Sequence, residues 1–210
     1  MKKMRVLPLI GNGTYGFSEA SELPEEAPVS LVTLPHLPVS FAVTTDYMEE
    51  AKNHCAAVTA TNLSLILSPP ANARTAELLR AISHRSFTSI HSRIGNGPIL
   101  NLEKRITRYY RDTGIPIRCR KLKNVEDIPA VLSKGHPAAL LLGDSLFRWH
   151  WVTVIGSLTY PDGTVLEIAD SWHRRPRYYR PNYGSRVLGI LEFYPTSRED
   201  STGGEMNRLN

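Results

Sequence analysis

Hydrophobic positions recur at helical spacing through the first half of the chain and alternate or run together through the second. Ala56, Ala60, Leu63 and Leu67, widened by Val58, Leu65 and Ile66, predict a largely buried helix from near residue 54 to the stop at Pro69-Pro70. Leu78, Leu79 and Ile82 predict a second helix over 75–83. Leu102, Ile106, Tyr109 and Tyr110 predict a third over 101–112, closed by Gly114. Asn124 as N-cap, Ile128, Val131 and Leu132 inward and Gly135 at the end predict a fourth over 125–134. Strands are then expected at 115–120, 137–143, 149–157, 164–170 and 187–194, with turn chemistry at Tyr160-Pro161-Asp162-Gly163. Helices followed by a mostly antiparallel sheet argue for an α+β fold.

The flanks differ from this regular middle. Residues 1–44 carry Pro8, Pro24, Pro28, Pro35 and Pro38 among short apolar runs. They read as an extended N-terminal arm with strands at 29–33 and 39–44. Residues 197–210 are polar, contain Gly203-Gly204 and read as a disordered tail. One domain over 45–196 is the simplest account of the remainder.

Composition changes this picture little. The chain has 210 residues, 41% hydrophobic and 21% charged, which is ordinary for one globular domain. The net charge of +5 is scattered. Its densest basic group, His173-Arg174-Arg175-Pro176-Arg177 beside Tyr178, Tyr179 and Arg180, could meet phosphates. A solvated loop is the preferred reading, so no nucleic-acid partner is expected. No apolar run approaches the roughly 18 residues a membrane span needs, and Val6–Ile10 is too short for a signal-peptide core. A cytoplasmic protein is expected on the sequence as given, a secreted one if a signal has been trimmed. Oligomeric state is left open.

Two cysteines do not make a disulfide framework. Cys119 alternates with Arg118 and Arg120 and shares a face with Ile115 and Ile117, as a small core residue would. Cys55 instead opens the most apolar helix, directly after Asn53-His54. There the helix dipole and unpaired backbone N–H groups favour thiolate and could stabilise an oxyanion. A cysteine at a helix start is often structural, so the reading turns on a base. Among seven histidines, His36, His84, His91 and His136 lie in polar stretches and read as surface. His54 adjoins the cysteine but should point away from it, and His173 falls in the basic loop. His150 shares a strand face with Val152 and Val154, so its ring points inward and needs a partner. Asp170 closes the next apolar strand and is the expected carboxylate partner. A tight turn at 160–163 would set Val154, not His150, opposite Asp170, so the pair requires a looser connection or a further bulge. Trp149, Trp151 and Trp172 could line a cleft, although tryptophans beside a hairpin are commonly core.

The segment Asn53-His54-Cys55-Ala56-Ala57-Val58-Thr59-Ala60-Thr61-Asn62-Leu63 resembles the active-site helix of papain-like cysteine peptidases, above all the family that cleaves double-glycine leaders from bacteriocins. Gly135–Leu142, His150–Gly156 and Ile168–Trp172 resemble that family's stretch before the histidine, its histidine strand and its aspartate strand. The likeness covers about residues 45–194. It implies a papain-like fold with Cys55 as nucleophile, His150 as general base and acid, and Asp170 as orienter. It implies a peptide or protein substrate, and no metal or organic cofactor. The family carries a glutamine oxyanion donor where this chain has Glu49, which as a carboxylate only accepts. Asn53 is the nearer side-chain donor for that role. Loss of one such donor costs on the order of 100- to 1,000-fold in rate. Ala56 follows the cysteine where the family often has glycine. Two alternatives stay open: acyl transfer by the same three residues, as in transglutaminase-like proteins or arylamine acetyltransferases, and a papain-like domain that binds a peptide without cleaving it.

Overall fold

The computed structural model describes residues 15–49, 51, 53–69, 75–97, 99–145 and 148–196. The expected tail at 197–210 and the first 14 residues of the arm lie outside them. In chain order the elements are β1 (Phe17–Ser18), β2 (Ser30–Thr33), α1 (Cys55–Leu67), α2 (Ala76–Ile94), α3 (Leu102–Thr113), β3 (Ile117–Leu122), α4 (Ile128–Leu132), β4 (Ala138–Ser145), β5 (Arg148–Tyr160), β6 (Gly163–Ala169), β7 (Arg177–Tyr179) and β8 (Arg186–Pro195). The fold is α+β. All strand pairs are antiparallel, in the order β1-β7-β6-β5-β4-β8-β3, and β2 continues the line of β4 along β5.

Both faces of the sheet are covered. On one, α1, α2 and α3 bury Ala57, Phe87, Ile90, Leu102 and Tyr110 against Leu141, Trp151, Leu191 and Phe193. Cys119 packs against this cluster, as its alternation predicts. On the other, α4 and the arm bury Ile128, Tyr15, Phe17, Leu34 and Phe41 against Leu140, Val152, Val154 and Ile168. Residues 15–44 are therefore woven into the sheet.

The helix α2 runs eleven residues beyond its predicted end at 83, to Ile94. Its buried positions Leu79, Ser83, Phe87, Ile90 and Ile94 keep helical spacing among serines, histidines and arginines that mask the stripe. The strand predicted at 39–44 is absent; a 3-10 turn spans Thr44–Tyr47 instead. The Asn62 side chain of α1 takes both backbone groups of Ala42, accepting from its N–H at 2.8 Å and donating to its carbonyl at 3.1 Å. That satisfies the backbone without a strand neighbour.

The basic loop is solvated at His173, Arg174 and Arg175, as expected, but its Arg177 turns inward and fastens the arm. Arg177 is 5% exposed, donates to the carbonyl of Ser18 at 3.1 Å and pairs with Glu19 at 2.8 Å. Arg174 pairs with Asp46, and Arg180 pairs with Asp162 at 2.9 Å. His136 is likewise no free surface histidine: it and Arg120 hold the buried Glu192 carboxylate at 2.7 and 2.6 Å.

The tightest point of the arm is Gly16 against Gly184, both at φ +77. A Cβ on Gly184 would stand 2.7 Å from the Gly16 Cα, which real contacts never reach. Gly184→Ala should lower stability by about 1–3 kcal/mol through this clash and the left-handed backbone, read as a lower urea midpoint. An unchanged midpoint would show that the arm lies elsewhere in solution.

Candidate active site

The site begins with a stretch of β5 that has no strand beside it. β6 pairs with β5 only from Thr153 onward, leaving Arg148–Val152 open on that edge. The helix α1 fills the gap: Thr59 Oγ1 donates to the carbonyl of Trp151 at 3.0 Å, and Thr153 Oγ1 donates to the carbonyl of Thr59 at 3.4 Å. This docking sets the start of α1 beside the residue after His150. No side chain caps α1 and no acid lies in its first turn, so its first N–H groups stay free for other partners. Asn53 enters the helix at φ 53, a left-handed conformation asparagine tolerates.

Cys55 is half-buried at this helix start. Burial pushes its thiol pKa up; the backbone N–H groups of Trp151, Ala56 and Cys55 itself act on the sulfur in the opposite direction and do not prevail. The expected lowering of this thiol is thus reversed. The cause is desolvation, which moves a buried acid by up to about 3–5 units, against roughly 0.3–1 kcal/mol from a helix terminus.

His150 is 3% exposed on the arm side of the sheet, level with Val152 and Val154. Its Nε2 donates to the backbone carbonyl of Asp170 at 2.6 Å. A carbonyl only accepts, so this bond fixes the Nε2–H tautomer and leaves the Nδ1 lone pair as the basic position. The ring stacks on Trp172 at 3.9 Å with 14° between planes. Burial lowers its pKa from 6.5 to about 4, opposed in part by the bond to Asp170.

Asp170 is fully buried, but its carboxylate is not the partner of His150. Oδ1 accepts from the N–H groups of Trp172 and His173 at 2.9 and 2.8 Å, and Oδ2 accepts from His173 Nδ1 at 2.7 Å. The side chain folds the loop after β6, and the backbone carbonyl reaches the imidazole. A bulge does occur, at Ile155 between the Val154–Ile168 and Gly156–Glu167 pairs, but it stops short of the register that would set His150 directly opposite Asp170. Thr153 then faces Ala169, which carries the next residues of both strands together as β6 ends.

Other expected members stand apart. No hydrogen bond joins Cys55 to His150 among the described residues. Glu49 is exposed beyond the 3-10 turn, and Asn53 is exposed with its carbonyl taken by the Gly97 N–H at 2.9 Å. His54 points away from the thiol, as expected, with Nε2 on the Thr44 carbonyl at 2.9 Å. Trp151 is core, with Nε1 donating to the Ile99 carbonyl at 3.1 Å, whereas Trp172 stays 39% exposed. Sequence reasoning missed Tyr15 and Phe17, whose rings lie 5.4 and 6.2 Å from the imidazole. Burial and then the charges of Asp144 and Cys55 push Tyr15 up to about 12, while Arg148 opposes. A cavity of about 690 Å³ lies over Gly143, Asp144, Trp149, Ser185 and Leu188, with neither Cys55 nor His150 in its lining.

Among the described residues no helix is long and apolar enough to cross a membrane. The sequence matches no protein-family model and no curated protein.

The depressed imidazole pKa has a consequence for folding. The unfolded chain binds the His150 proton near pH 6.5 and the folded chain only near pH 4, so this stability is full above about 6.5, declines as pH falls from there and is lost by about 4. His150→Gln should flatten the loss of melting temperature between those limits. An identical slope in the variant would mean that the imidazole is hydrated in the folded protein.

Proposed function

We propose that the chain is a thiol hydrolase, a cysteine peptidase of papain-like fold that cleaves a peptide or amide bond. The reading is carried by one observation: a cysteine at an uncapped helix start, seated against the backbone N–H of the residue that follows a buried, tautomer-fixed histidine. The order Cys55, His150, Asp170 and the antiparallel sheet support it.

In this reading both partners start neutral. The Cys55 sulfur attacks the carbonyl carbon as its proton passes to Nδ1 of His150. N–H groups at the start of α1 receive the oxyanion, in place of the side-chain donor that Glu49 cannot provide. The imidazolium returns the proton to the departing amine, leaving a thioester on Cys55. Water attacks that thioester with His150 again as base, releasing the acid and the thiol. Asp170 orients the base through its carbonyl, and the charge of its buried carboxylate favours the transient imidazolium.

The raised thiol and the lack of a Cys55–His150 hydrogen bond favour a second reading: a domain that binds a peptide without cutting it. Two measurements separate them. Peptide libraries analysed by mass spectrometry should show cleavage by the native protein that falls by at least ~1,000-fold in Cys55→Ala and in His150→Ala. Iodoacetamide labelling of Cys55 should be slow at neutral pH and climb above the ordinary thiol range near 8.5. Intact libraries, with a labelling rate indifferent to His150→Ala, would leave the binding domain.

A further inference from the structure

The imidazole of His150 sits among three aromatic rings drawn from two parts of the chain. Trp172 covers one face. Tyr15 and Phe17 reach the same group from the arm, and each also packs on Trp172, at 5.7 and 5.8 Å. Both arm residues are nearly sealed, at 6% and 5% exposure. The arm is also firmly held. Ser185 Oγ donates to the Tyr15 carbonyl at 2.9 Å, β1 pairs with β7 through Phe17–Tyr179, and Arg177 grips the carbonyls of Phe17 and Ser18.

A single hydrogen bond from Nε2 anchors the ring at one atom and leaves it free to tilt about that bond. Fixing its plane takes packing on the faces. The same packing removes water, which would otherwise solvate the protonated form. The charged and titratable groups around the ring are Asp170 after β6 and Tyr15 of the arm. Beyond Tyr15 lie Cys55 of α1 and Asp144 and Arg148 of the β4–β5 hairpin.

We infer that the N-terminal arm is a working wall of the candidate site, in which Tyr15 and Phe17 are positioning residues that hold the His150 ring against Trp172 and keep water from it. The catalytic consequence rests on the hydrolase reading; the effect on the imidazole does not. An arm that merely plugged the site would block access to the thiol, whereas this arm prepares the base.

Histidine ring resonances of the full chain, titrated by NMR, test this directly, with His150→Gln assigning the signal. Tyr15→Ala should raise the His150 midpoint by about one pH unit or more from its value near 4. Tyr15→Phe keeps the ring and should restore the wild-type titration, and Tyr15→Leu keeps apolar bulk should the alanine variant fold poorly. On any peptide the native protein cleaves, Tyr15→Ala should lower kcat by about tenfold or more with little change in KM, and its acid limb should follow the shifted titration. An unmoved midpoint in both the alanine and leucine variants overturns the inference. So does faster cleavage or faster Cys55 labelling in Tyr15→Ala, which would make the arm a plug. If the native protein cleaves nothing, the hydrolase reading fails while the titration still decides the role of Tyr15.

Discussion

The hydrolase proposed for this protein depends on how α1 docks against the open edge of β5. Two threonine hydroxyls make that contact. Thr59 caps the carbonyl of Trp151, and Thr153 returns a bond to the carbonyl of Thr59. A side-chain hydroxyl thereby stands where a neighbouring strand would supply an N–H, so a helix can lie against unpaired strand backbone without leaving a buried acceptor empty. The helix start, and with it the Cys55 sulfur, is set at the level of Trp151. Without the missing strand pair there would be no place for the thiol beside the histidine strand.

The electrostatics of the pair follow from burial more than from helix geometry. A helix start offers the thiolate roughly 0.3–1 kcal/mol, and each pKa unit is about 1.4 kcal/mol. Desolvation outweighs that, so the thiol rises and the imidazole falls to about 4. The free site therefore holds a neutral thiol and a neutral imidazole. In the hydrolase proposed above, an arriving carbonyl group that accepts the sulfur's electrons would supply the missing reason for proton transfer, with charge developing only as the bond forms. Such a site is quiet towards small electrophiles while its base remains unprotonated over most of the ordinary pH range.

Much of this was legible in the sequence, in a patterned way. The period-two run from Trp149 placed His150 inward, the stripe from Ala56 to Leu67 gave α1 and its start near residue 54, and the need for a looser connection or a bulge between His150 and Asp170 followed from counting back from Tyr160-Pro161-Asp162-Gly163. The location of the bulge at Ile155 did not follow, because nothing at that residue differs from an ordinary buried strand position. The atom by which Asp170 meets His150 was misassigned for a similar reason. Sequence identifies a carboxylate, but which atom of a residue faces a neighbour depends on the local turn, here one closed by Trp172 and His173. The length of α2 was lost among its polar residues, and the arm's contacts span some 160 positions, beyond the reach of any local pattern.

The arm and the basic loop explain one another. Arg174, Arg177 and Arg180 look like a cationic patch when read along the chain, yet each meets a carboxylate: Asp46, Glu19 and Asp162. Two of those acids lie in or just beyond the arm. A buried arginine such as Arg177 is costly unless its donors are filled, and two carbonyls and a glutamate fill them. Removing the arm would strand that guanidinium, so the loop's chemistry makes sense only with residues 17–19 in place. The same loop begins at Asp170, whose carbonyl holds His150, and carries Trp172, on which the ring stacks. Arm, loop and imidazole are therefore one packed unit, built from segments that lie far apart in sequence.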